Sequence, residues 1–162
     1  MRSRIQAGFT MVELIVVIVI LGILAAVALP KFMGLEKEAR IAALKSMGGT
    51  MNSAAQMAHG LCMAQNCANG GAGIPINGVN VVFANSYPNN ASIKSLLQSF
   101  EGFTPSAAGN RMTKMGSTNA NCWVQYNQPA AAGAAPTISY QSGTIVDATT
   151  EANVNTALRV AC

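Results

Sequence analysis

A single carboxylate, Glu13, stands at the head of a long apolar run and is the residue there with the clearest capacity for chemistry. From Leu14 to Leu29 the chain has no charged or strongly polar side chain. A carboxylate at mid-bilayer depth costs roughly 2.5–3.5 kcal/mol on insertion scales, and less near a helix end. Glu13 therefore needs a positive partner, and an ionisable group in such a segment indicates a functional role.

Proteolysis directly before Phe9 would supply that partner. An ordinary secretory signal has its cleavage site after the apolar run, but here the basic stretch Met1–Ala7 and Gly8 precede the run. Cleavage between Gly8 and Phe9 would remove the basic leader, keep the apolar segment and create an α-amino group four residues ahead of Glu13. The alternative is a signal peptide cut at Ala26-Val27-Ala28, against which the position of Glu13 argues.

A membrane-length helix is the element that must position these groups. Phe9–Leu29 has about 20 residues, the length that a helix needs to cross a bilayer core of about 30 Å. Arg2 and Arg4 predict a cytoplasmic start, with the residues after Pro30 outside. Gly22 and Pro30 are expected to weaken the helix, and Pro30 to bend it.

The stretch Gly8-Phe9-Thr10-Met11-Val12-Glu13, with its basic leader and apolar helix, resembles the N-terminal motif of type IV pilins, which type II secretion pseudopilins share. Gly22 and Pro30 stand where pilins of the type IVa class carry helix-weakening residues. The resemblance implies cleavage between Gly8 and Phe9 and N-methylation of the new Phe9 amine by the same enzyme. In a filament, pairing of Glu13 with the Phe9 amine of a neighbouring copy would set the stagger between subunits.

The C-terminal half resembles the mannose-sensitive haemagglutinin-type pilins in Pro30-Lys31-Phe32, Asn85–Pro88, Cys122–Tyr126 and the terminal Cys162. This resemblance implies a structural subunit of an extracellular pilus for surface attachment; the alternative is a secretion pseudopilin or a minor pilin. The expected partners are identical subunits in a helical homopolymer, a prepilin peptidase and methyltransferase, and an inner-membrane assembly platform. The precursor is expected in the bacterial inner membrane and the mature protein in the filament, with no cofactor.

The helical pattern continues beyond Pro30 to about His59. Apolar residues recur on one face at steps of three or four, at Met47, Met51, Ala54, Ala58 and Leu61. Gly60 and the glycine-rich stretch Asn69–Gly73 are expected to end the helix. The predicted organisation is a leader (1–8), a membrane or filament-core helix (9–30), an amphipathic half (31–60) and a globular domain (61–162).

The globular domain is predicted to be an antiparallel sheet whose apolar face covers the outer helix, which gives an α+β fold. The candidate strands are Val79–Phe83, Cys122–Tyr126, Thr137–Tyr140, Thr144–Val146 and, as a strand or an extended tail, Ala157–Ala161.

Three connections are also predicted from turn and capping signals. Tyr87–Asn90 predicts a turn, and Pro129–Pro136 predicts an exposed hairpin loop. A short helix is expected from Ile93 to Phe100, capped near Asn90 or Ser92 and closed by Gly102.

Composition disfavours a nucleic-acid partner. Only 10% of the 162 residues are charged, against about a quarter in average proteins, and the net charge is +4. After Gly8 eight bases face six acids, a net +2, and no stripe of Lys and Arg lies among aromatic residues. The neutral surface, rich in amides and hydroxyls, suits packing against copies of the same chain.

Four cysteines, all beyond the apolar segment, predict two disulfides in an exported protein, with three possible pairings. We expect Cys62–Cys67, which closes a tight loop, and Cys122–Cys162, which ties the last residue to a central strand. A metal site is disfavoured because His59 is the sole histidine and no second close cysteine pair exists.

No catalytic constellation stands out, so an enzyme is not expected. His59 is interpreted as a cation at the helix C-terminus and not as a base. Asp147 and Glu151 make too thin a set of oxygens for calcium. Asn90-Ala91-Ser92 matches a glycosylation sequon, a pattern that is frequent by chance.

Overall fold

The computed structural model describes residues 9–67, 69, 71–117, 121–142, 144–147, 154, 158–159 and 162. The fold is α+β, with one long N-terminal helix and a C-terminal antiparallel sheet, which confirms the predicted class. The chain divides into two compact units, Met1–Lys37 and Glu38–Cys162. The helix from Ile41 to Ala55 contributes to the core of the second unit.

Helix α1 (Met11–Gln65) is continuous through Pro30. Proline has no N–H to donate to the carbonyl four residues earlier, but the surrounding residues remain helical. The prediction that α1 ends near His59 with Gly60 as breaker is wrong. Cys62, in the next turn, is buried, and its packing outweighs the cost of about 1 kcal/mol that an interior glycine brings to a helix.

The first hairpin after α1 joins β1 (Ile74–Ile76) to β2 (Val79–Val81). Its two-residue turn is Asn77-Gly78, with φ values of 50° and 80°. Positive φ at both turn positions is the type I′ geometry, whose twist matches that of the flanking strands and which favours Asn-Gly. β2 confirms the strand predicted over Val79–Phe83 only as far as Val81, because Val82 lies in no strand and Phe83 begins the next hairpin. β1 was not predicted.

The second hairpin joins β3 (Phe83–Ala84) to β4 (Tyr87–Pro88) through Asn85 and Ser86, whose φ values are 53° and 68°. The turn predicted at Tyr87–Asn90 is therefore wrong for its first two residues. The reversal comes earlier because Asn85 and Ser86 take the left-handed conformation.

A five-stranded antiparallel sheet follows, with the strands in chain order. These strands are β5 (Phe103–Pro105), β6 (Arg111–Lys114), β7 (Trp123–Asn127), β8 (Thr137–Ser142) and β9 (Thr144–Asp147). The predictions for β7, β8 and β9 are confirmed to within two residues, and β5 and β6 were not predicted. Residues 130–135 of the predicted hairpin loop are exposed, although Pro129 is buried.

Two other expectations are wrong. The predicted helix Ile93–Phe100 is only a 3₁₀ helix, Ile93–Leu96, and the hydroxyl of Ser92 accepts a hydrogen bond from the Val82 backbone N–H (3.0 Å) instead of capping it. Near the C-terminus Leu158 and Arg159 are helical, so the strand or tail expected over Ala157–Ala161 fails at the two of its residues that the structure describes.

The core of the second unit lies between one face of α1 and the inner face of the sheet. Met47, Met51, Ala54 and Ala58 are buried as predicted, but Leu61 is 43% exposed and Cys62, at 1%, continues the face. The step of four from Ala58 turns the helix by 400°, close to one full turn, so residue 62 keeps the face better than residue 61. The sheet and the 3₁₀ helix contribute Ile93, Phe103, Met112, Val124, Tyr126 and Tyr140.

Candidate functional site

Glu13 and Thr10 bind each other at the start of α1. The Thr10 backbone N–H and hydroxyl both donate to Oε2 of Glu13, at 3.0 and 2.7 Å. In return the Glu13 backbone N–H donates to Oγ1 of Thr10 at 3.3 Å. This reciprocal pair is a capping box, and it explains why α1 begins directly after Thr10.

Sequence analysis missed Thr10 as a site residue, although its signal was present. A Thr followed three residues later by Glu, in front of an apolar run, is the sequence pattern of a capping box. Glu13 thus has a local, uncharged partner in Thr10 in addition to any cationic one.

The apolar part of α1 is exposed in the first unit. Every large apolar side chain from Met11 to Leu29 is 48–80% exposed. By length and composition α1 contains one window apolar enough to cross a membrane, with a mean hydropathy of 3.1. A surface of this extent needs lipid or other apolar helices around it.

The other site residues predicted at the N-terminus are Gly8, Phe9, Gly22 and Pro30. Phe9 precedes the helix and is exposed, whereas Gly8 lies outside the described residues. Gly22 lies in mid-helix, and a Cβ built on it would meet no atom within 4 Å. Pro30 lies inside the same helix.

The four cysteines form two disulfides, Cys62–Cys67 and Cys122–Cys162, the pairs expected from the sequence. In each pair the two α-carbons are 4.9 Å apart, within the usual range for a bridge. The first closes the end of α1 and the second joins Cys122, directly before β7, to Cys162. Both lie in the second unit, away from Thr10 and Glu13 in sequence.

His59 is a packing residue inside the helix. Its Nδ1 is 2.8 Å from the carbonyl oxygen of Ser86, which can only accept, so Nδ1–H is the donor. The ring stacks on Tyr87, with centroids 4.0 Å apart and planes 3° from parallel. The interpretation of His59 as a C-terminal cation is wrong, because α1 continues to Gln65 and its last turn holds no basic residue.

The comparisons with known proteins start from the same N-terminal region. The profile of the prokaryotic N-terminal methylation motif matches residues 3–29. A fimbrial protein, EcpC of Eikenella corrodens, is 31% identical over 124 residues, which cover 74% of this chain and 80% of that protein. The chain belongs to the type IV pilin-like proteins. Its matches point to a structural protein.

Two secretion proteins are also similar to this pilin-like chain. The type II secretion system core protein G of Pseudomonas aeruginosa is 47% identical over 45 residues, and that of Aeromonas hydrophila 54% identical over 39 residues. These alignments cover 28% and 24% of the chain, and about a third of each relative, 32% and 27%. No solved structure matches the chain.

Two minor candidate sites remain, the sequon at Asn90 and the acidic pair Asp147 and Glu151. Asn90 of the sequon is engaged in the fold: its backbone N–H donates to Oε1 of Gln128, and its Oδ1 accepts from the Gln128 N–H, both at 2.8 Å. Ser92 is buried. Asp147 ends β9, and Glu151 lies outside the described residues.

Proposed function

We propose that this chain is the structural subunit of a type IV pilus used for surface attachment, and that it polymerises through the apolar half of α1. The observation that carries the proposal is the reach of the fimbrial alignment. Because it covers 74% of the chain, it must extend well beyond Lys37 into the second unit. The secretion proteins match over 45 and 39 residues, too few to include most of the globular part.

Polymerisation follows from the exposed apolar surface. Before assembly, lipid covers residues 11–29 in the inner membrane; in the filament, the same residues of neighbouring copies cover one another. Exchange of lipid for protein keeps these side chains out of water at each stage, and van der Waals packing then favours the bundle. Gly22 and Pro30 bracket a stretch that can give up helical bonds, which would let the filament lengthen under load.

Maturation prepares the chain for this step. A prepilin peptidase cuts between Gly8 and Phe9 and methylates the new amine, which then lies four residues ahead of Glu13. In the filament, a neighbour shifted by about one helical turn brings its Phe9 amine to the height of the Glu13 carboxylate. Since an unpaired buried charge costs several kcal/mol, wrong registers are penalised while apolar contacts slide at little cost.

The second candidate function is that of a pseudopilin in a type II secretion system. It is favoured by the identities of 47% and 54% with core proteins G, although these alignments are short. Deletion of the gene, with electron microscopy of the cells and an assay of secreted enzymes, separates the two functions. Loss of surface filaments with normal secretion supports the pilus subunit. Normal filaments with enzymes retained in the periplasm would instead assign the chain to secretion.

A further inference from the structure

A cavity opens between the C-terminal half of α1 and strand β8, within the second unit. Its volume is about 350 Å³, near the lower end of the range of about 300–1,000 Å³ for small-molecule sites. The two elements contribute most of its lining: Lys45, Gly48, Gly49 and Asn52 from α1, and Ile138 and Tyr140 from β8. The cavity is therefore of a size for one small molecule.

The wall that α1 contributes has a notch at Gly48-Gly49. The tip of Tyr140 lies against Gly48, whereas a Cβ built on Gly49 would meet no atom within 4 Å. Lys45 lies one helical turn before the notch and Asn52 one turn after it, so both share its face of the helix. The notch thus has a polar side chain at each end and an open side at Gly49.

The Tyr140 hydroxyl is a polar group that the fold itself leaves unused. Tyr140 is 9% exposed, yet its hydroxyl makes no hydrogen bond with any residue that the structure describes. None of those residues has a fully enclosed side-chain oxygen or nitrogen without a partner, so the hydroxyl oxygen must reach the cavity that Tyr140 lines. Tyr126 differs, because its hydroxyl donates to the Pro88 carbonyl. A free polar group on a buried side chain indicates a partner from outside the fold.

Lys45 gives the cavity a positive charge. Its ammonium group has no ion pair or hydrogen bond within the described part of the chain, and no carboxylate from that part lines the cavity. The Tyr140 hydroxyl and the Asn52 amide are further donors. Charge-assisted hydrogen bonds to carboxylates are about twice as strong as neutral ones, so this set of donors favours an anion.

The spacing of the three donors selects the kind of anion. At 1.5 Å per residue, Gly48, where the Tyr140 hydroxyl lies, is about 4.5 Å along the helix from Lys45, and Asn52 is about 6 Å further. Inorganic phosphate or an acidic side chain presents one compact anionic group, which is too short for a row of about 10 Å. A sugar acid has a carboxylate at one end and hydroxyls along its ring, and Ile138 and Val154 offer apolar contact to its C–H groups.

We infer that the Gly48-Gly49 notch binds a uronic acid, with the sugar carboxylate at Lys45 and the sugar hydroxyls at Tyr140 and Asn52. The use of the site rests on the proposed function, in which attachment requires a ligand on the surface that the pilus meets. Binding of this ligand explains why the fold leaves both the Lys45 ammonium and the Tyr140 hydroxyl without partners.

Isothermal titration calorimetry of the full-length chain in detergent micelles tests this inference, with D-glucuronate and D-galacturonate as probes. D-glucose and D-galactose are the matched control ligands, because each has the same ring with a hydroxymethyl group in place of the carboxylate. We expect saturable binding of at least one uronate, and binding of its neutral sugar weaker by at least about tenfold, the loss expected for a hydrogen bond to a charged group. Equal binding within each pair, or no saturable binding of either uronate, overturns the inference.

Three variants and a control place the binding in the notch. Lys45→Gln should weaken uronate binding by at least about tenfold, whereas Lys94→Gln, at a half-buried lysine that does not line the cavity, should leave it unchanged. Tyr140→Phe should weaken binding without lowering the unfolding midpoint at neutral pH, since the hydroxyl has no partner in the described fold. Gly49→Leu should abolish binding by filling the notch, and leucine favours the helix. Unchanged affinity in Lys45→Gln or Tyr140→Phe contradicts the assigned site.

Smaller anions distinguish the other sources of negative charge. Acetate, L-glutamate or inorganic phosphate binding as tightly as the uronate would show a site for any anion, including an acidic side chain of a second copy, and would overturn the inference.

Electron microscopy of the cells separates this inference from the proposed function. Filaments should persist in Lys45→Gln, and their loss would assign Lys45 to assembly and contradict the inference. Failed uronate binding with wild-type filaments present overturns the inference alone. Uronate binding by a chain whose deletion leaves the filaments normal overturns the proposed function and leaves the binding site standing.

Discussion

The side chain of Tyr140, on β8, ends against the backbone of Gly48 in α1. A Cβ built on Gly48 would lie 3.0 Å from Cζ of Tyr140 and 3.1 Å from Cγ2 of Ile138, and closer still to the tyrosine hydroxyl oxygen. Tyr140 is buried, so its ring has little room to withdraw. The helix and the sheet approach each other closely here because residue 48 has no side chain.

Gly48→Ala should therefore destabilise the globular unit. Overpacking at residue 48 costs about 1–3 kcal/mol of stability. The higher helix propensity of alanine offsets about 1 kcal/mol of this cost. Gly49→Ala is the matched control, because a Cβ at Gly49 meets nothing within 4 Å and only the gain remains. Denaturant unfolding of the full chain in detergent should rank the stabilities as Gly49→Ala, wild type, Gly48→Ala. Equal effects at the two positions would contradict the close approach.

Intact-mass measurement of the protein from cells should find a chain that begins at Phe9 and carries one additional methyl group. The reason is the small Gly8 before the apolar run and the match to the N-terminal methylation motif over residues 3–29. A mature chain beginning at Leu29, after Ala26-Val27-Ala28, would show instead that the apolar run is a removable signal.

Glu13→Gln should leave leader cleavage intact and reduce filaments at least about tenfold. Glutamine keeps the acceptor oxygen of the capping box with Thr10, so the variant removes the charge and keeps the start of α1. The filament loses its amine–carboxylate pairs, which leaves each buried amine without a partner.

Thr10→Val is the control for this experiment, because it removes the capping hydroxyl and keeps the carboxylate. Loss of the cap costs about 1 kcal/mol of helix stability, and filaments should persist. Wild-type filaments in Glu13→Gln, counted by electron microscopy beside an immunoblot for processing, would exclude charge pairing as the source of the register.

Removal of the Cys122–Cys162 bridge should destabilise the chain more than removal of Cys62–Cys67. The sequence separations are 40 and 5, and in the chain-entropy model these loops are worth about 4 and about 2 kcal/mol. Thermal unfolding of the two double Cys→Ser variants measures the difference. Peptide mapping without reduction checks the pairing first, and a Cys62–Cys162 peptide would contradict it.

Alkaline pH should unfold the protein through its buried phenols. Burial, and to a lesser extent Tyr87, raises the pKa of Tyr126, and burial raises that of Tyr140. A raised folded-state pKa means that the stability is present below the unfolded value of about 10 and is lost as pH rises towards the folded value.

Tyr126→Phe should flatten this decline and cost about 1 kcal/mol at neutral pH, because the Pro88 carbonyl loses the hydroxyl that donates to it at 2.8 Å. Unfolding midpoints between pH 7 and 11 test both effects. An unchanged alkaline slope in the variant would exclude Tyr126 as the titrating group.

The parts that the sequence predicted are those with long or local signals. The apolar run is recognised by its length, and the Met47–Ala58 stripe by its helical spacing. Strands β7 to β9 are recognised by their short runs of strand-forming residues. In each case the structure has the element that the local sequence favours. The Asn77-Gly78 hairpin and the Thr10–Glu13 capping box are equally local, and both were overlooked although their patterns are specific.

The remaining errors have tertiary causes. α1 continues beyond Gly60 because Cys62 packs with Ile74 and Phe83 from the two hairpins. These contacts join residues that are distant in sequence, so no local pattern predicts them. His59 is a packing residue because it contacts Ser86 and Tyr87, which lie in a hairpin distant in sequence. Strands β5 and β6 are three and four residues long and hold one β-branched residue each, whereas β9, also of four residues, was recognised by its Thr-Ile-Val run.

The Cys122–Cys162 bridge also determines how the protein responds to force. If Phe9 and Cys162 are pulled apart, tension passes from Cys122 straight through the sulfur atoms, and the 40-residue loop bears no load. An extended chain spans about 3.3–3.6 Å per residue, so about 130–140 Å of contour length stays hidden until the bridge is reduced. A single oxidised molecule should rupture with a correspondingly shorter extension than a reduced one.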